Sequence, residues 1–225
     1  MARGLFVTGT DTGVGKTMLA AAIAAALRAR GERVAAAKPV LTGLDDGPPG
    51  DHDVLAAATG RAANEIAPVR FGPPVSPHLA AELAGVELDV DELARRTVAA
   101  GEGADVLVVE GVGGLLVPLG PGGGVRDLAV ALGLPVVVAA RPGLGTINHT
   151  LLTLEAARAA GLDVRAVVLT PWPEEPSAME RSNAETIAAL GEVPVAYLPR
   201  IEPGAPAALP IDDWIALRDR AATKG

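Results

Sequence analysis

The sequence predicts an α/β fold: a doubly wound, mostly parallel sheet with helices on both faces. Three observations predict it. Short apolar runs alternate with longer helical patterns along the chain. Several runs, such as Val106–Leu107–Val108–Val109 and Val136–Val137–Val138–Ala139–Ala140, are continuous rather than alternating, as in strands buried on both faces. The runs end in glycine, proline or a charged residue, at the strand ends where open parallel sheets bind ligands. The 225 residues suit one large domain, residues 1–225, and 49% hydrophobic residues are ample for its core.

The first element is the strand Leu5–Phe6–Val7–Thr8, which runs into Gly9–Thr10–Asp11–Thr12–Gly13–Val14–Gly15–Lys16–Thr17. An Ala-rich helical segment, Met18 to Arg30, follows. Strand, glycine loop and helix in this order make a phosphate loop. Glycines let backbone N–H groups face phosphate oxygens where a Cβ would block them. The helix adds its positive dipole end. Lys16 can reach the outer phosphates, and the Thr17 hydroxyl can hold Mg²⁺. The usual spacing puts a glycine at position 10; here Thr10 stands there and Gly9 lies one residue earlier, so the loop is a longer variant.

Val34–Ala37 reads as a second strand that delivers Lys38 at its tip, followed by Pro39–Val40–Leu41–Thr42–Gly43. Lys38 is either functional or merely a surface or ion-paired residue. Residues 44–50 form a polar Gly/Pro-rich loop. Asp51–His52–Asp53 opens a helix to Thr59; acidic residues there are caps or ligands, and His52 is expected to be solvated. Residues 68–77 are irregular. Ser76–Pro77–His78 begins a helix to Ala84, and another covers Val90 to Ala100.

The run from Ala104 ends in Glu110–Gly111–Val112–Gly113–Gly114. In nucleotide hydrolases a carboxylate here supports Mg²⁺ opposite the phosphate loop, and an ionised Glu in such a strand needs a cation or a partner. Structural capping is the other reading. Leu115 to Pro118 is a short extended segment, Gly122–Gly124 a loop, and Val125 to Leu132 a helix. The strand from Pro135 leads to Arg141–Pro142–Gly143–Leu144–Gly145. Thr146–Ile147–Asn148–His149 then opens a helix to Ala160, either as an anion site or with Thr146 as a mere N-cap. Val164–Leu169 is a strand ending in a proline-laced turn, Thr170–Pro171–Trp172–Pro173. Ser177 to Leu190 is helical, Val195 to Leu198 a strand leading to Pro199–Arg200, and Ile211 to Ala222 a closing helix.

Composition excludes whole classes. With 27 acidic and 19 basic residues the net charge is −8, which disfavours nonspecific binding to nucleic acid or anionic membranes. Aromatics at 2% leave little for base stacking. The absence of Cys forbids disulfides, thiolate metal sites and Cys nucleophiles. The N-terminus resembles no signal peptide and no run spans a bilayer, so a cytoplasmic protein is expected.

Taken in order, Gly9 to Thr17, Lys38–Pro39–Val40, Val109 to Gly114 and Gly145 to His149 resemble dethiobiotin synthetase, a family of phosphate-loop enzymes. The resemblance runs from the first strand to the last helix and is strongest before Thr150. The longer phosphate loop matches this family. The resemblance implies an ATP-dependent carboxylation of 7,8-diaminopelargonic acid with CO₂, through a carbamate and a mixed anhydride, in a homodimer whose sites lie near the subunit interface. It implies that Gly13, Val14, Gly15, Lys16, Thr17 and Met18 cradle the triphosphate, with Gly113, Thr170, Pro171, Pro199 and Arg200 also on the nucleotide. Thr17, Asp53 and Glu110 match the Mg²⁺ positions. Lys16 and Lys38 flank the transferring phosphoryl group and the carbamate, Thr42 contacts substrate, and Gly145, Thr146, Ile147 and Asn148 meet the substrate's carboxylate tail from the partner subunit.

The family often carries an Asn after the late strand to read adenine; here that place is Thr170, so relaxed choice among nucleoside triphosphates is expected. The rival readings are a partitioning-type ATPase switch and a cobyrinate-type amide synthetase. The first usually has a second lysine early in its loop and binds DNA, whereas Thr10, Asp11 and Thr12 supply no lysine and the charge opposes DNA. The second needs a Cys-bearing glutaminase domain that this chain lacks.

Overall fold

A computed structural model describes residues 3–47 and 49–215. In chain order the elements are β1 (Arg3–Gly9), α1 (Lys16–Ala29), β2 (Val34–Ala37), β3 (Val40–Leu41), a 3₁₀ turn (Leu44–Asp46), α2 (Asp51–Thr59), α3 (Ala63–Ile66), β4 (Val69–Arg70), α4 (Pro77–Ala84) and α5 (Val90–Ala100). Then follow β5 (Val106–Glu110), β6 (Pro118–Gly120), β7 (Gly123–Gly124), α6 (Val125–Leu132), β8 (Val136–Ala140), α7 (Thr146–Ala159), β9 (Val164–Trp172), α8 (Ala178–Gly191), β10 (Val195–Pro199) and α9 (Ile211–Ile215). Six strands form one sheet in the order β10-β9-β8-β1-β5-β2, every pair parallel. The doubly wound α/β expectation is met.

β1 is paired on both edges, by β5 and β8, and packed on both faces, Leu5 and Val7 in one apolar layer and Phe6 in the other, so residues 4–9 are all buried. One apolar layer joins α1, α2 and α9 to the sheet; the other joins the sheet to α5, α6, α7 and α8. In α1 the stretch Leu19–Leu27 is buried throughout. Its alanines explain how: small side chains let one helix lie against the sheet on one side and α2 on the other without a polar stripe. Because the strands are parallel, β1, β2 and β5 end at one edge, and that edge receives the phosphate loop, Lys38 and Glu110.

Several expectations need correction. The strand from Val164 does not stop at Leu169; β9 continues through Thr170 and Pro171 to Trp172. Beyond Leu169 it pairs only with β10, Trp172 lying opposite Pro199, so the missing N–H of Pro171 costs no ladder bond toward β8. The extended segment near Leu115–Pro118 begins only at Pro118, because Val117 N–H turns back onto Gly114 O, and Gly123–Gly124 pairs with it instead of looping freely. The 44–50 loop contains the 3₁₀ turn, and the irregular 68–77 segment contains β4, which pairs with β3. His52 is buried, not solvated. It packs beneath Gly50, where a Cβ would lie 2.8 Å from its Nδ1. The closing helix is seen over Ile211–Ile215; the remainder of that expectation, to Ala222, lies outside the described residues.

Candidate active site

The phosphate loop leaves β1 and enters α1 at Gly15, whose φ of +92° admits glycine readily. Gly15 is also close-packed: a Cβ there would lie 2.8 Å from Thr170 Cγ2. Lys16 is buried and folds back so that its Nζ donates to Asp11 O at 2.9 Å. Burial, and then the nearby Lys38 cation, lower its pKa to about 8.

Lys38, at the end of β2, is only 2% exposed. Its Nζ donates to Glu110 Oε1 at 2.6 Å, to Asp51 Oδ2 at 2.7 Å and to Gly111 O at 3.2 Å. Three N–H bonds meet three acceptors, which is the full capacity of an ammonium. Burial alone would lower its pKa; Glu110 and Asp51 outweigh that and hold Lys38 charged. Burial pushes Glu110 up against the pull of Lys38, while the Lys38 charge holds Asp51 below its ordinary value despite burial.

The Thr17 hydroxyl lies 2.7 Å from Asp51 Oδ1 and 2.9 Å from Glu110 Oε1. It has one proton and two acceptors to serve. Glu110 Oε2 is buried without any partner. An orphaned carboxylate oxygen beside a hydroxyl and a second carboxylate is the donor set a hard cation takes. No group of three or more His, Cys, Asp and Glu converges among the described residues, so the set is two carboxylates and a hydroxyl. It suits a cation that keeps several of its waters, as Mg²⁺ does.

The sequence-predicted residues divide into two groups. Gly13, Gly15, Lys16, Thr17, Met18, Lys38, Thr42, Asp53, Glu110 and Gly113 line one cavity of about 890 Å³. Asp53 reaches its wall, but its Oδ2 accepts from the Gly50 N–H at 2.9 Å, a helix cap. Of the two acidic residues read as caps or ligands the resemblance picks Asp53, yet Asp51 is the α2 carboxylate that touches Thr17 and Lys38. Two Asp residues two apart in the first turn of a helix point to different sides, and nothing in the sequence says which side faces β5. Val14 is buried beneath the loop. Thr170 is buried with its methyl against Gly15, and Pro171, Pro199 and Arg200 are exposed outside this cavity. Gly145–Asn148 stand apart at the start of α7. The N-cap there is Gly145, φ +89°, so Thr146 is not the cap; its Oγ1 instead faces Thr150 Oγ1 at 3.5 Å.

A family model described as an AAA domain matches residues 3–205. The ATP-dependent dethiobiotin synthetase of Mycobacterium avium (strain 104) is 47% identical over 84% of this chain and 84% of its own length. That of Anaeromyxobacter dehalogenans (strain 2CP-1) is 46% identical over 88% of this chain and 90% of its own. This chain belongs to the dethiobiotin synthetase family. Among solved structures the likeness is one of fold. The septum site-determining protein MinD of Pyrococcus horikoshii, complexed with Mg-ADP, superposes with a TM-score of 0.53 at 17% identity, over 88% of this chain and 82% of that one. The cell division protein FtsY of Thermotoga maritima superposes with a TM-score of 0.53 at 12% identity, over 96% and 67%. The dethiobiotin synthetase relatives therefore favour the enzyme over the switch that the fold alone would allow.

Proposed function

We propose that the chain forms dethiobiotin from 7,8-diaminopelargonic acid, CO₂ and ATP, releasing ADP and phosphate. The observation that carries this is the meeting of Lys16, Thr17, Lys38 and Glu110 in one cavity at the end of β1, β2 and β5. One amine of the substrate adds to CO₂ as a carbamate. A carbamate oxygen takes the γ-phosphoryl group, and the second amine attacks the carbonyl carbon and expels phosphate. Negative charge builds on the oxygens around the transferring phosphorus. Lys16 and Lys38 offset it from fixed positions, which is how such reactions are catalysed. Gly13–Met18 and Gly113 hold the triphosphate, Thr42 contacts the substrate, and Thr17, Asp53 and Glu110 hold Mg²⁺, with Asp51 beside them. When bound, Mg²⁺ neutralises phosphate charge. Incubating the protein with the diamine, bicarbonate, Mg²⁺ and ATP tests the reading: dethiobiotin by mass with matching phosphate release is expected. ATP hydrolysis that needs no diamine would support a switch instead. No helix among the described residues is long and apolar enough to cross a membrane.

The enzyme acts as a homodimer in this reading. Leu116 and Leu152 are exposed yet line a second cavity of about 480 Å³ with His149 and Thr10–Thr12. Leu144, in the loop before α7, is 92% exposed. Apolar surface of this kind beside Gly145–Asn148 supports a second subunit there. Serving a neighbour's substrate also accounts for the distance of that segment from the main cavity. Mixing an inactive Lys38 variant with an inactive Asn148 variant is expected to restore part of the activity through hybrid sites; a fully active monomer by light scattering and assay would rule this out.

Base choice is the remaining element. A threonine hydroxyl offers one donor, against the bidentate amide that pairs with adenine, a difference of about 1–3 kcal/mol. Here Thr170 is also turned into the phosphate loop. ATP, GTP, CTP and UTP are expected to support comparable turnover, with Pro171, Pro199 and Arg200 around the base. A preference for ATP above roughly a hundredfold, about 2.7 kcal/mol, would show that another group reads it.

A further inference from the structure

Asn183 lies on the inner face of α8, beside the buried Ala184 and Ile187, and is 7% exposed. Asn is a poor helix former, and an amide among apolar side chains costs free energy unless it is fully bonded. Its Nδ2 donates to Pro142 O at 2.9 Å and to Gly143 O at 3.3 Å. Gly143 O also accepts the first N–H of α7, from Thr146, at 3.2 Å. One carbonyl thus ties α8, the Pro142–Gly145 loop and the start of α7 together. The loop has little else to hold it: Gly143 and Gly145 carry no side chain, Leu144 faces solvent, and the Arg141–Asp11 pair at 3.3 Å is exposed. The N-cap Gly145 supplies no side-chain bond, so the Ile147 and Asn148 N–H groups have no cap to claim them.

We propose that Asn183 is a positioning residue for the substrate's carboxylate. It fixes the loop so that the open N–H groups of α7 stand where the tail arrives. This rests on the reading of Gly145–Asn148 as the tail subsite. Asn183 lines neither the main cavity nor the second one, so its effect is expected to be confined to one substrate.

The test compares wild type with Asn183→Leu, which keeps the branching but has no polar atoms, and Asn183→Asp, which removes both donors, using the diamine acid and its methyl ester. Wild type is expected to bind the acid better than the ester. Both variants are expected to raise the KM for the acid about five- to tenfold, the loss of a buried hydrogen bond, with KM for ATP and kcat within about twofold of wild type. The ester should be nearly indifferent to the substitution. If wild type binds the ester as well as the acid, the tail subsite is wrong. If wild type discriminates but the variants discriminate equally well, the tail subsite stands and the role of Asn183 is overturned. Equal rises in KM for ATP and for the acid, or a lower melting temperature with unchanged KM, would make Asn183 merely structural and overturn it too.

Discussion

Lys38→Ala is expected to lower kcat by about a hundred- to a thousandfold, the cost of removing one preorganised charge contact from a charged transition state, about 2.7–4 kcal/mol. The geometry adds a second consequence. Lys38 is the partner of Glu110, at 2.6 Å and almost wholly buried. Removing one member of a buried pair costs about 3–5 kcal/mol, because the other charge is left unpaired. Glu110 can escape part of that by taking up a proton, since burial already pushes it that way. The variant should therefore melt earlier as well as turn over slowly. The two effects separate in Lys38→Ala/Glu110→Gln, where the buried Glu110 charge is gone and only the partly exposed Asp51 loses its cation: its melting temperature should recover in part while dethiobiotin formation does not. Product formation near the wild-type rate in Lys38→Ala would remove Lys38 from the chemistry.

Glu110→Gln is expected to raise the Mg²⁺ concentration needed for nucleotide binding by tenfold or more, about 1.4 kcal/mol. An amide keeps the shape but loses the anionic oxygens, one of which now has no partner. Titrating nucleotide binding against Mg²⁺, or Mn²⁺ binding by its spin-resonance signal, measures this without turnover. The two carboxylates of α2 should then differ in kind. Asp53→Asn is expected to raise the Mg²⁺ requirement, because the resemblance to the family implies a metal position there. Asp51→Asn is expected to raise that requirement less than Glu110→Gln does and to lower kcat, because Asp51 grips Lys38 at 2.7 Å. The opposite assignment, with the Mg²⁺ requirement following Asp51, would mean that Thr17, Asp51 and Glu110 are the metal set and that Asp53 is only a cap.

Most of the fold and much of the site were legible in the sequence, for a physical reason. A parallel strand buried on both faces must be apolar throughout, so β1, β5 and β8 announce themselves, and a polar residue at the end of such a run has few roles open to it. Lys38 and Glu110 were visible on that account. A phosphate loop must leave backbone N–H groups uncovered, so its glycines and the Lys16–Thr17 that follow are set by local chemistry. Tertiary structure alone decided what depends on which side chains face each other across the fold. It turned Asp51 rather than Asp53 toward Thr17 and Lys38, buried His52 under Gly50, and ran β9 on to Trp172 alongside β10. It also brought Asn183 across from α8 to the loop before α7, a meeting of residues 41 apart in the chain. Local pattern carries no information on such meetings: a helix's period tells which residues share a face, and only packing tells what that face meets.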